Sequence, residues 1–371
     1  MTTPNHTFKT LGLCMIVKNE SEIILDCLRS ISDYLDYWVI YDTGSTDGTQ
    51  DIIRNYFKEV GISGELVESE WVNFGHNRTE VIERAYNTAD YLILLDADFI
   101  VNIVDNNFKQ ALSDNNMSYL IKYTGDLDYR QSLLVSGHVQ WKYIGVTHEY
   151  IHSETAVEKG NFDLLTIDHK HTGANRGDKF SRDIALLVAA LKDDPSNDRY
   201  CFYLGQSYKD NGENEKAIQW YTKRVELGGW DEEVYYSLYS IGICRERAGY
   251  DFDSIVVFDY LRAFNFRRSR LEALYKIVRH YRTTEQYTLS FSYAMMGWKT
   301  KYPEDILFVA RGVHEYQFLD ELTISAYWVG FHQLGRDLGE RLLQEELYPS
   351  KEGTRIKKNL KFCIDGLITQ S

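Results

Sequence analysis

Two aspartates one residue apart, Asp96 and Asp98, follow a fully apolar run at residues 91–95. Carboxylates this close at the end of a buried strand repel each other, so a positive group must offset their charge. Hard divalent cations prefer oxygen ligands, and a cation bound there can neutralise a diphosphate as it leaves. The pair therefore predicts a site for a metal ion and a diphosphate.

Two polar turns earlier in the chain carry residue types that suit a nucleotide base. The first contains Val17, Asn19 and Glu20, and the second begins at Asp42. A carboxylate at a strand end can accept a hydrogen bond from the ring N–H of uracil, and the glycines of the second turn permit a tight backbone. Asp42 is therefore the candidate contact to the base, whereas Asp47 is more simply explained as a helix cap.

These clusters all lie at the ends of predicted strands. Up to about residue 171, short apolar runs alternate with amphipathic segments, and the runs that predict the first strands are 11–17, 37–41, 66–68 and 91–95. Such alternation implies a largely parallel sheet, which binds ligands at the carboxyl ends of its strands. After residue 117 the pattern becomes strand-rich, which predicts a mixed or antiparallel extension on the acceptor side of the cleft.

From about residue 179 the pattern is purely helical. One segment has the spacing of a tetratricopeptide repeat, given by Cys201, Leu204, Gly205, Tyr208, Ala217, Tyr221 and a turn at Gly228 and Gly229. A single repeat cannot bury its own faces, so at least three helical hairpins are expected. The predicted domains are residues 1–178 and residues 179–371.

The motifs CMIVKNE, YDTGSTDGT, NFGHNRTE and LLDADF occur in this order and together resemble the family-two glycosyltransferases of the GT-A fold. They are most similar to the branch with C-terminal tetratricopeptide repeats, which includes bacterial peptide S-glycosyltransferases. The resemblance implies an α/β GT-A (Rossmann-like) nucleotide-sugar domain followed by an all-α repeat domain. It also implies inverting transfer from a nucleotide-sugar, commonly a UDP-sugar, with Mn²⁺ or Mg²⁺.

The resemblance carries over to individual residues of the nucleotide site. It places Glu20 and Asp42 around the nucleoside, with Val17 and Asn19 in the same turn. It places Asn77 and Arg78, at the start of their helix, near the nucleotide or its ribose. Many relatives have Arg-Asn where this chain has Asn-Arg, which leaves their individual roles open.

For the metal site, the resemblance makes Asp98 the main ligand. Asp96, with Ala97 beside it, would contact the ribose or a metal-bound water. The acidic residue that usually follows this motif is Phe99 here, so further ligands must come from elsewhere.

A pair of histidines, His169 and His171, follows a predicted strand near the end of the first domain. Several GT-A enzymes take a metal ligand from a histidine in this region. The two side chains would point the same way on a strand, because side chains alternate with period two. Zinc is less favoured, since no cysteine accompanies them at ligand spacing.

Glu149 is the candidate base that removes the proton from the acceptor as the acceptor attacks the anomeric carbon. Trp141 is the candidate platform for stacking on a sugar. Asp126 and Asp128 are the rival bases.

Composition narrows the possible partners and surroundings. The formal net charge of -14 argues against a broad grip on nucleic acid, which needs clustered basic residues. Five scattered cysteines without C-x-x-C spacing favour reduced thiols, and no signal peptide or apolar run of spanning length is present, so we expect a cytoplasmic protein.

Two other functions compete with a glycosyltransferase. A nucleotidyltransferase would show a glycine-rich basic loop after the first strand, which this chain lacks there. A non-catalytic repeat scaffold with a relic first domain would tend to lose Asp96 and Asp98, and both are present. Since tetratricopeptide grooves commonly hold extended peptides, a protein or peptide acceptor is favoured, with a glycan or small molecule left open.

Overall fold

The structure is a computed structural model that describes residues 9–113, 117–124, 130–155, 158–170 and 179–370. It has two compact units, Met1–Ala190 and Leu191–Ser371. The sequence predicts a boundary after residue 178, and a helix begins there, at Lys179. The first unit ends within that helix, at Ala190. Within the described ranges, no helix combines the length and the apolar composition needed to cross a bilayer.

The N-terminal unit alternates strands and helices up to its fourth strand and is strand-rich afterwards. Its strands are β1 (Leu11–Val17), β2 (Tyr37–Asp42), β3 (Gly64–Glu68), β4 (Tyr91–Leu94), β5 (Phe99–Ile103), β6 (Met117–Tyr123), β7 (Arg130–Ser136), β8 (Lys142–Ile144), β9 (Tyr150–His152) and β10 (Glu158–His169). Its helices are α1 (Ile24–Ile31), α2 (Thr49–Val60), α3 (Phe74–Ala85) and α4 (Lys179–Asp193), with 3₁₀ turns at Ser32–Tyr34 and Phe108–Ala111.

One mixed sheet has the strand order β3-β2-β1-β4-β7-β6-β10-β5, and β8 pairs with β9 separately. The first four strands in this order are mutually parallel. Strand β7 runs antiparallel to both β4 and β6, and β5 runs antiparallel to β10. The predicted α/β domain with a mixed extension is therefore confirmed, although the sequence pattern indicates neither β5 nor β9.

Strand β1 is buried on both faces, which explains why its sequence is apolar throughout. Leu13 and Met15 belong to the core that also contains residues of α1 and α2, whereas Cys14 belongs to the core that contains residues of α3. Successive side chains of a strand point to opposite faces, and helices cover both faces of a parallel sheet. Polar side chains are therefore accommodated at the strand ends.

Two helices begin elsewhere than the sequence predicts. The sequence pattern predicts a helix over 21–31 that Ser21 caps, but helix α1 begins at Ile24 without a side-chain cap. Helix α3 begins at Phe74, and its cap is Asn73, whose side-chain oxygen accepts a hydrogen bond from the His76 N–H at 2.8 Å. Asn77 therefore lies one turn inside α3, where its side chain is fully buried.

The C-terminal unit is helical. After the end of α4, its helices are α5 (Asp198–Asp210), α6 (Asn214–Leu227), α7 (Asp231–Arg247), α8 (Val257–Phe266), α9 (Glu272–Thr283), α10 (Tyr287–Ala294), α11 (Phe318–Trp328), α12 (His332–Glu345) and α13 (Gly353–Gln370). Single π-helical turns at Phe252–Val256 and Val313–Gln317 precede α8 and α11, and a 3₁₀ turn at Ser350–Glu352 precedes α13. Successive helices pack against each other, as expected for helical hairpins in series.

Glycines let the helices of the first two hairpins approach closely. A Cβ added to Gly205 in α5 would lie 2.9 Å from the Tyr221 ring of α6. A Cβ added to Gly242 in α7 would lie 2.6 Å from the Tyr260 ring of α8. The same glycine–tyrosine contact thus recurs in the second hairpin, whose sequence matches the repeat pattern less well.

Replacing Gly205 by leucine should lower the free energy of unfolding by about 1–3 kcal/mol, because the side chain would overpack the contact with Tyr221. Urea unfolding followed by circular dichroism measures the change. Glu226→Leu, which adds the same side chain to an exposed position of α6, should leave the midpoint nearly unchanged. Equal midpoints for the two variants would contradict the close helix approach.

Candidate functional site

A cleft of about 700 Å³ opens in the N-terminal unit at the carboxyl ends of β1, β2 and β4. Its lining from these ends and from β10 is Ile16, Val17, Lys18, Glu20, Thr43, Asp96, Ala97, Asp98 and His169. Helices α3 and α4 and the loop before α3 complete it with Trp71, Phe74, Arg78, Lys179, Phe180 and Arg182. Its volume lies within the range of small-molecule sites, and an acidic floor faces basic and aromatic side chains.

Arg78 joins two carboxylates at the floor of this cleft. Its Nη2 donates a hydrogen bond of 2.5 Å to Oδ1 of Asp96. Its Nε lies 2.9 Å from Oε1 of Glu149, a charge contact without the alignment of a hydrogen bond. Burial alone would lower the pKa of the Arg78 guanidinium, but the two carboxylates outweigh this effect and raise the pKa above its ordinary value. Arg78 is therefore a fixed positive charge beside Asp96.

Asp98 is compensated by a different residue, His169. The Nε2 atom of His169 lies 2.9 Å from Oδ2 of Asp98. The pairing of β5 with β10 sets this contact, because Phe99 stands opposite His169 and the Lys170 N–H donates to the Asp98 carbonyl at 3.1 Å. Each aspartate thus has a polar partner of its own, the guanidinium of Arg78 for Asp96 and the imidazole of His169 for Asp98.

The donor set at this point fits a divalent cation in part. Asp98 and His169 place a carboxylate oxygen and an imidazole nitrogen side by side. The carboxylate suits Mg²⁺ or Mn²⁺, whereas imidazole suits zinc, copper, iron and nickel. In the part of the chain that the structure describes, no group of three or more His, Cys, Asp or Glu residues could hold a metal. Since Mg²⁺ is commonly bound by one or two carboxylates together with substrate phosphates and waters, two protein ligands are compatible with a substrate-completed site.

Asp42 is buried at the end of β2 and has one carboxylate oxygen in use. Its Oδ1 accepts hydrogen bonds from the backbone N–H of Gly44 and Ser45 at 3.0 and 2.8 Å, and from the Gln50 side chain at 2.9 Å. Its Oδ2 is buried without a hydrogen-bond partner within the described residues. A buried acceptor with nothing to accept costs about 1–3 kcal/mol, which a donor on a ligand would recover.

The two polar turns brace each other. Asn19, at a φ of 57°, donates from its backbone N–H to the Ser45 hydroxyl at 2.8 Å and accepts from the Thr46 N–H at 2.8 Å. The Val17 carbonyl accepts hydrogen bonds from the N–H and the hydroxyl of Thr43. Asn19 therefore holds the turn that carries Asp42.

The N-cap of α2 is Gly48 and not Asp47, so the predicted helix cap is wrong by one position, although Asp47 bonds the first residue of the helix. The Asp47 carboxylate accepts from the N–H and hydroxyl of Thr49 at the start of α2, and from the Ser21 N–H at 3.0 Å. Desolvation works against the charged form, but these hydrogen bonds prevail and lower the pKa of Asp47 below its usual range.

The structure places two predicted binding residues away from the cleft. Trp141 is 5% exposed, lies in the hydrophobic core beside α3, and donates its indole N–H to the Ser136 carbonyl at 2.9 Å. Asn77 accepts from the Val72 N–H and donates to the Glu70 carbonyl. Trp141 therefore cannot stack on a sugar, and Asn77 supports the loop before α3 instead of a ribose.

The wall opposite the carboxylates is not evident from the sequence motifs. Trp71 contacts Phe74 edge-on at 4.8 Å between ring centroids, and the Arg182 guanidinium lies 4.9 Å above the Phe74 ring. Phe180 is 40% exposed beside them. The only local signal in the sequence is Trp71, an aromatic residue three positions after the predicted strand 66–68. Phe180 and Arg182 belong to the first turn of a helix more than 100 residues later.

Several predicted residues have placements outside the cleft or outside the described residues. His171, Asp126 and Asp128 lie outside the described residues. The sequence also makes Lys170 a candidate contact to the diphosphate, but its side chain pairs with Asp26 at 3.0 Å. Glu149 reaches the cleft through Arg78, with 13% of its side chain exposed.

Comparisons with known proteins agree with the resemblance seen in the motifs. Residues 13–104 match the model of Glycosyl transferase family 2. The SPbeta prophage-derived glycosyltransferase SunS of Bacillus subtilis (strain 168) is 29% identical over 234 residues, covering 58% of this chain and 53% of that protein. A TPR repeat-containing protein of Synechococcus elongatus is 25% identical over 268 residues, covering 66% of this chain and 64% of that protein.

Among solved structures, S. aureus TarS 1–349 aligns at 11% identity with a TM-score of 0.36, over 67% of this chain and 90% of that one. The chain spans about half the length of SunS. The family match includes β1 to β4 and α1 to α3, and with them Asp42, Arg78, Asp96 and Asp98.

Replacing Asn77 by alanine should lower the free energy of unfolding by about 1–3 kcal/mol, because the backbone groups of Val72 and Glu70 would lose buried partners. Thermal unfolding measures the effect. Glu83→Ala, at an exposed position of the same helix, is the matched control. Equal melting temperatures for both variants would show that Asn77 does not support this loop.

Proposed function

We propose that this chain, whose N-terminal unit carries a Glycosyl transferase family 2 domain, transfers a sugar with inversion from a UDP-sugar to an acceptor, with Mn²⁺ or Mg²⁺. The observation that carries the proposal is the shared cleft. Asp96 and Asp98 face one cavity of about 700 Å³, each held by its own positive or hydrogen-bonding partner. The opposite wall supplies cations and aromatic rings for a nucleoside diphosphate.

The nucleoside is assigned to the turns after β1 and β2. Oδ2 of Asp42 is a buried acceptor that matches the ring N–H of uracil, and Asn19 fixes the turn that carries it. Glu20 and Thr43, the residue that follows Asp42, line the cleft. The uracil of a UDP-sugar would supply the hydrogen bond that Asp42 lacks, which favours UDP over a nucleotide without such a donor.

The diphosphate is assigned to the end of β4. Asp98 and His169 would hold the cation, and His171 is a further proposed ligand. When bound, the cation supplies Lewis-acid stabilisation of the charge on the departing diphosphate. Lys179 and Arg182 line the cleft and would attract the same charge.

Glu149 is the proposed base. The acceptor nucleophile attacks the anomeric carbon, the bond from that carbon to the diphosphate oxygen breaks with its electron pair leaving on UDP, and the acceptor proton passes to Glu149. Arg78 positions this carboxylate relative to Asp96, because it contacts both. Positioning of this kind contributes more to such a step than the acidity of the group alone.

The acceptor is proposed to be a protein or peptide held by the helical repeats of the C-terminal unit, with a cytoplasmic location. The main alternative is a scaffold whose first domain is a relic. Two observations speak against this alternative. Both aspartates are present, and each has a partner, which is Arg78 for Asp96 and His169 for Asp98.

A panel of UDP- and GDP-sugars, with and without Mn²⁺, should show metal-dependent release of nucleotide from at least one UDP-sugar. Asp98→Ala should abolish this release, since the cation would lose its main carboxylate ligand. Asp105→Ala, an exposed carboxylate after β5, is the matched control and should leave release unchanged. No binding and no hydrolysis with any donor would contradict the proposal.

Glu149→Gln should slow turnover by roughly 10²–10⁴-fold, because a general base contributes about that much, and should leave donor binding within a factor of a few. Donor hydrolysis and calorimetric titration with UDP give the two readouts. Glu154→Gln, whose side chain is 80% exposed, is the control. Normal turnover in a folded Glu149→Gln variant would move the base to Asp126, Asp128 or another residue.

A further inference from the structure

An irregular segment of the C-terminal unit, residues 301–310, crosses the helices α7 and α9 without forming a helix or strand. Two of its apolar side chains are turned to solvent, Ile306 at 83% and Phe308 at 47% exposure. Pro303, by contrast, is buried, and Leu307 and Val309 are half-buried. Burial of apolar surface therefore explains only part of why the segment lies there. The connection from the end of α10 to the π-helical turn at Val313, to which this segment belongs, exceeds the roughly 12–15 residues beyond which loops without secondary structure are uncommon and often functional.

The segment is held through its backbone. Glu232 of α7 accepts hydrogen bonds from the N–H groups of Ile306 and Leu307 at 2.8 and 2.7 Å. Arg270 donates to the carbonyls of Leu307 and Phe308 at 3.0 and 3.1 Å. One carboxylate and one guanidinium thus clamp consecutive peptide groups from both sides, a form of recognition that is independent of side-chain identity at those positions.

A single side chain of the segment is buried among charges. Both carboxylate oxygens of Asp305 accept hydrogen bonds from Arg267 at 2.6 and 2.7 Å, and Arg270 reaches Oδ2 at 3.2 Å. The Asp305 side chain is 2% exposed and that of Arg270 is fully buried. Bidentate arginine pairs of this kind select a carboxylate by geometry as well as by charge.

The end of the segment rests on an aromatic ring. The ring centroids of Phe308 and Tyr236 lie 4.9 Å apart, and Tyr236 is one turn after Glu232 on the same face of α7. Phe308 has a φ of 48°, a conformation that a bulky residue adopts at a cost. The surface therefore holds this residue in a conformation that the chain would not choose locally.

From these contacts we propose that the surface formed by Glu232, Tyr236, Arg267, Arg270 and Glu272 is a peptide-binding site that residues 302–310 occupy as an internal ligand. Glu272 completes it by accepting from the Ala310 N–H at 3.0 Å. The partner that this surface fits is an extended peptide in which an acidic residue is followed, three positions later, by an aromatic residue. The inference is independent of sugar transfer.

The test uses a fluorescent peptide with the sequence of residues 302–311 and the full-length chain, without any sugar donor. The wild-type chain should not bind it at up to 1 mM, because the internal segment is present at the millimolar effective concentration of a linked ligand. Asp305→Ala removes the internal carboxylate and should bind the peptide at least tenfold more tightly than the wild type does. Glu304→Gln, at the exposed neighbouring position, should behave as the wild type.

Two controls tie binding to the proposed contacts. The peptide with asparagine in place of Asp305 should bind the Asp305→Ala chain at least tenfold more weakly than the native peptide. Adding Glu232→Gln to that chain should also weaken binding at least tenfold. A folded Asp305→Ala chain that ignores the native peptide, or binds both peptides equally, would overturn the proposal.

If Asp305→Ala does not fold, the double variant Ile306→Pro/Phe308→Ala provides the same test. It removes one backbone donor and the ring contact with Tyr236, and leaves the buried pairs of Asp305 intact. It should bind the native peptide at least tenfold more tightly than the wild type does. Binding no tighter than in the wild type would overturn the proposal.

Discussion

The N-terminal unit is organised around the compensation of two negative charges at the end of a buried strand. Asp96 and Asp98 cannot both stand unopposed in a half-buried site, and the fold brings a different residue to each. Arg78, the partner of Asp96, belongs to α3. His169, the partner of Asp98, is the last residue of β10. The position of α3 and the antiparallel pairing of β5 with β10 are therefore both needed to give each of these two aspartates its partner.

The proposed function would use two parts of the N-terminal unit differently: the turns after β1 and β2, which hydrogen bonds hold together, and the surroundings of Asp98, which a ligand would complete. The turns after β1 and β2 hold each other through Asn19 and Asp47, so the Asp42 carboxylate is oriented before any ligand arrives. Because the turn is already ordered in the folded protein, binding of a small planar group would not have to bear the entropy cost of ordering it. Around Asp98, by contrast, the described residues supply two donors, and a bound substrate would complete the coordination.

Much of this architecture is predictable from the sequence, because it depends on local patterns. The apolar run of β1 and the polar residues that follow β1, β2 and β4 are contiguous in the chain, so periodicity and strand ends locate them. Trp141 and Asn77 were assigned wrongly from the sequence because their residue types suit both a ligand and the protein interior. Only the packing around α3 shows that both side chains belong to the protein interior, and the local spacing of residues does not predict this packing.

The cleft wall and the internal ligand could not be predicted for a related reason. Arg182 reaches Phe74 over more than 100 residues, and Arg270 reaches the carbonyl of Phe308 across two helices. Each contact joins residue types that are common on solvated surfaces, so neither carries a signal of its own in one sequence. The repeat motif, by contrast, is local, and two of its residues, Gly205 and Tyr221, lie in close contact.

The hold on residues 306–310 also constrains how the gene can change. Because Glu232 and Arg270 bind peptide groups, substitutions of Ile306 and Val309 would leave these hydrogen bonds intact. A deletion or insertion of one residue between Asp305 and Ala310 would instead shift every backbone hydrogen bond out of register with the buried carboxylate. Homologues that keep this clamp should therefore vary in composition here while keeping the length of the segment constant.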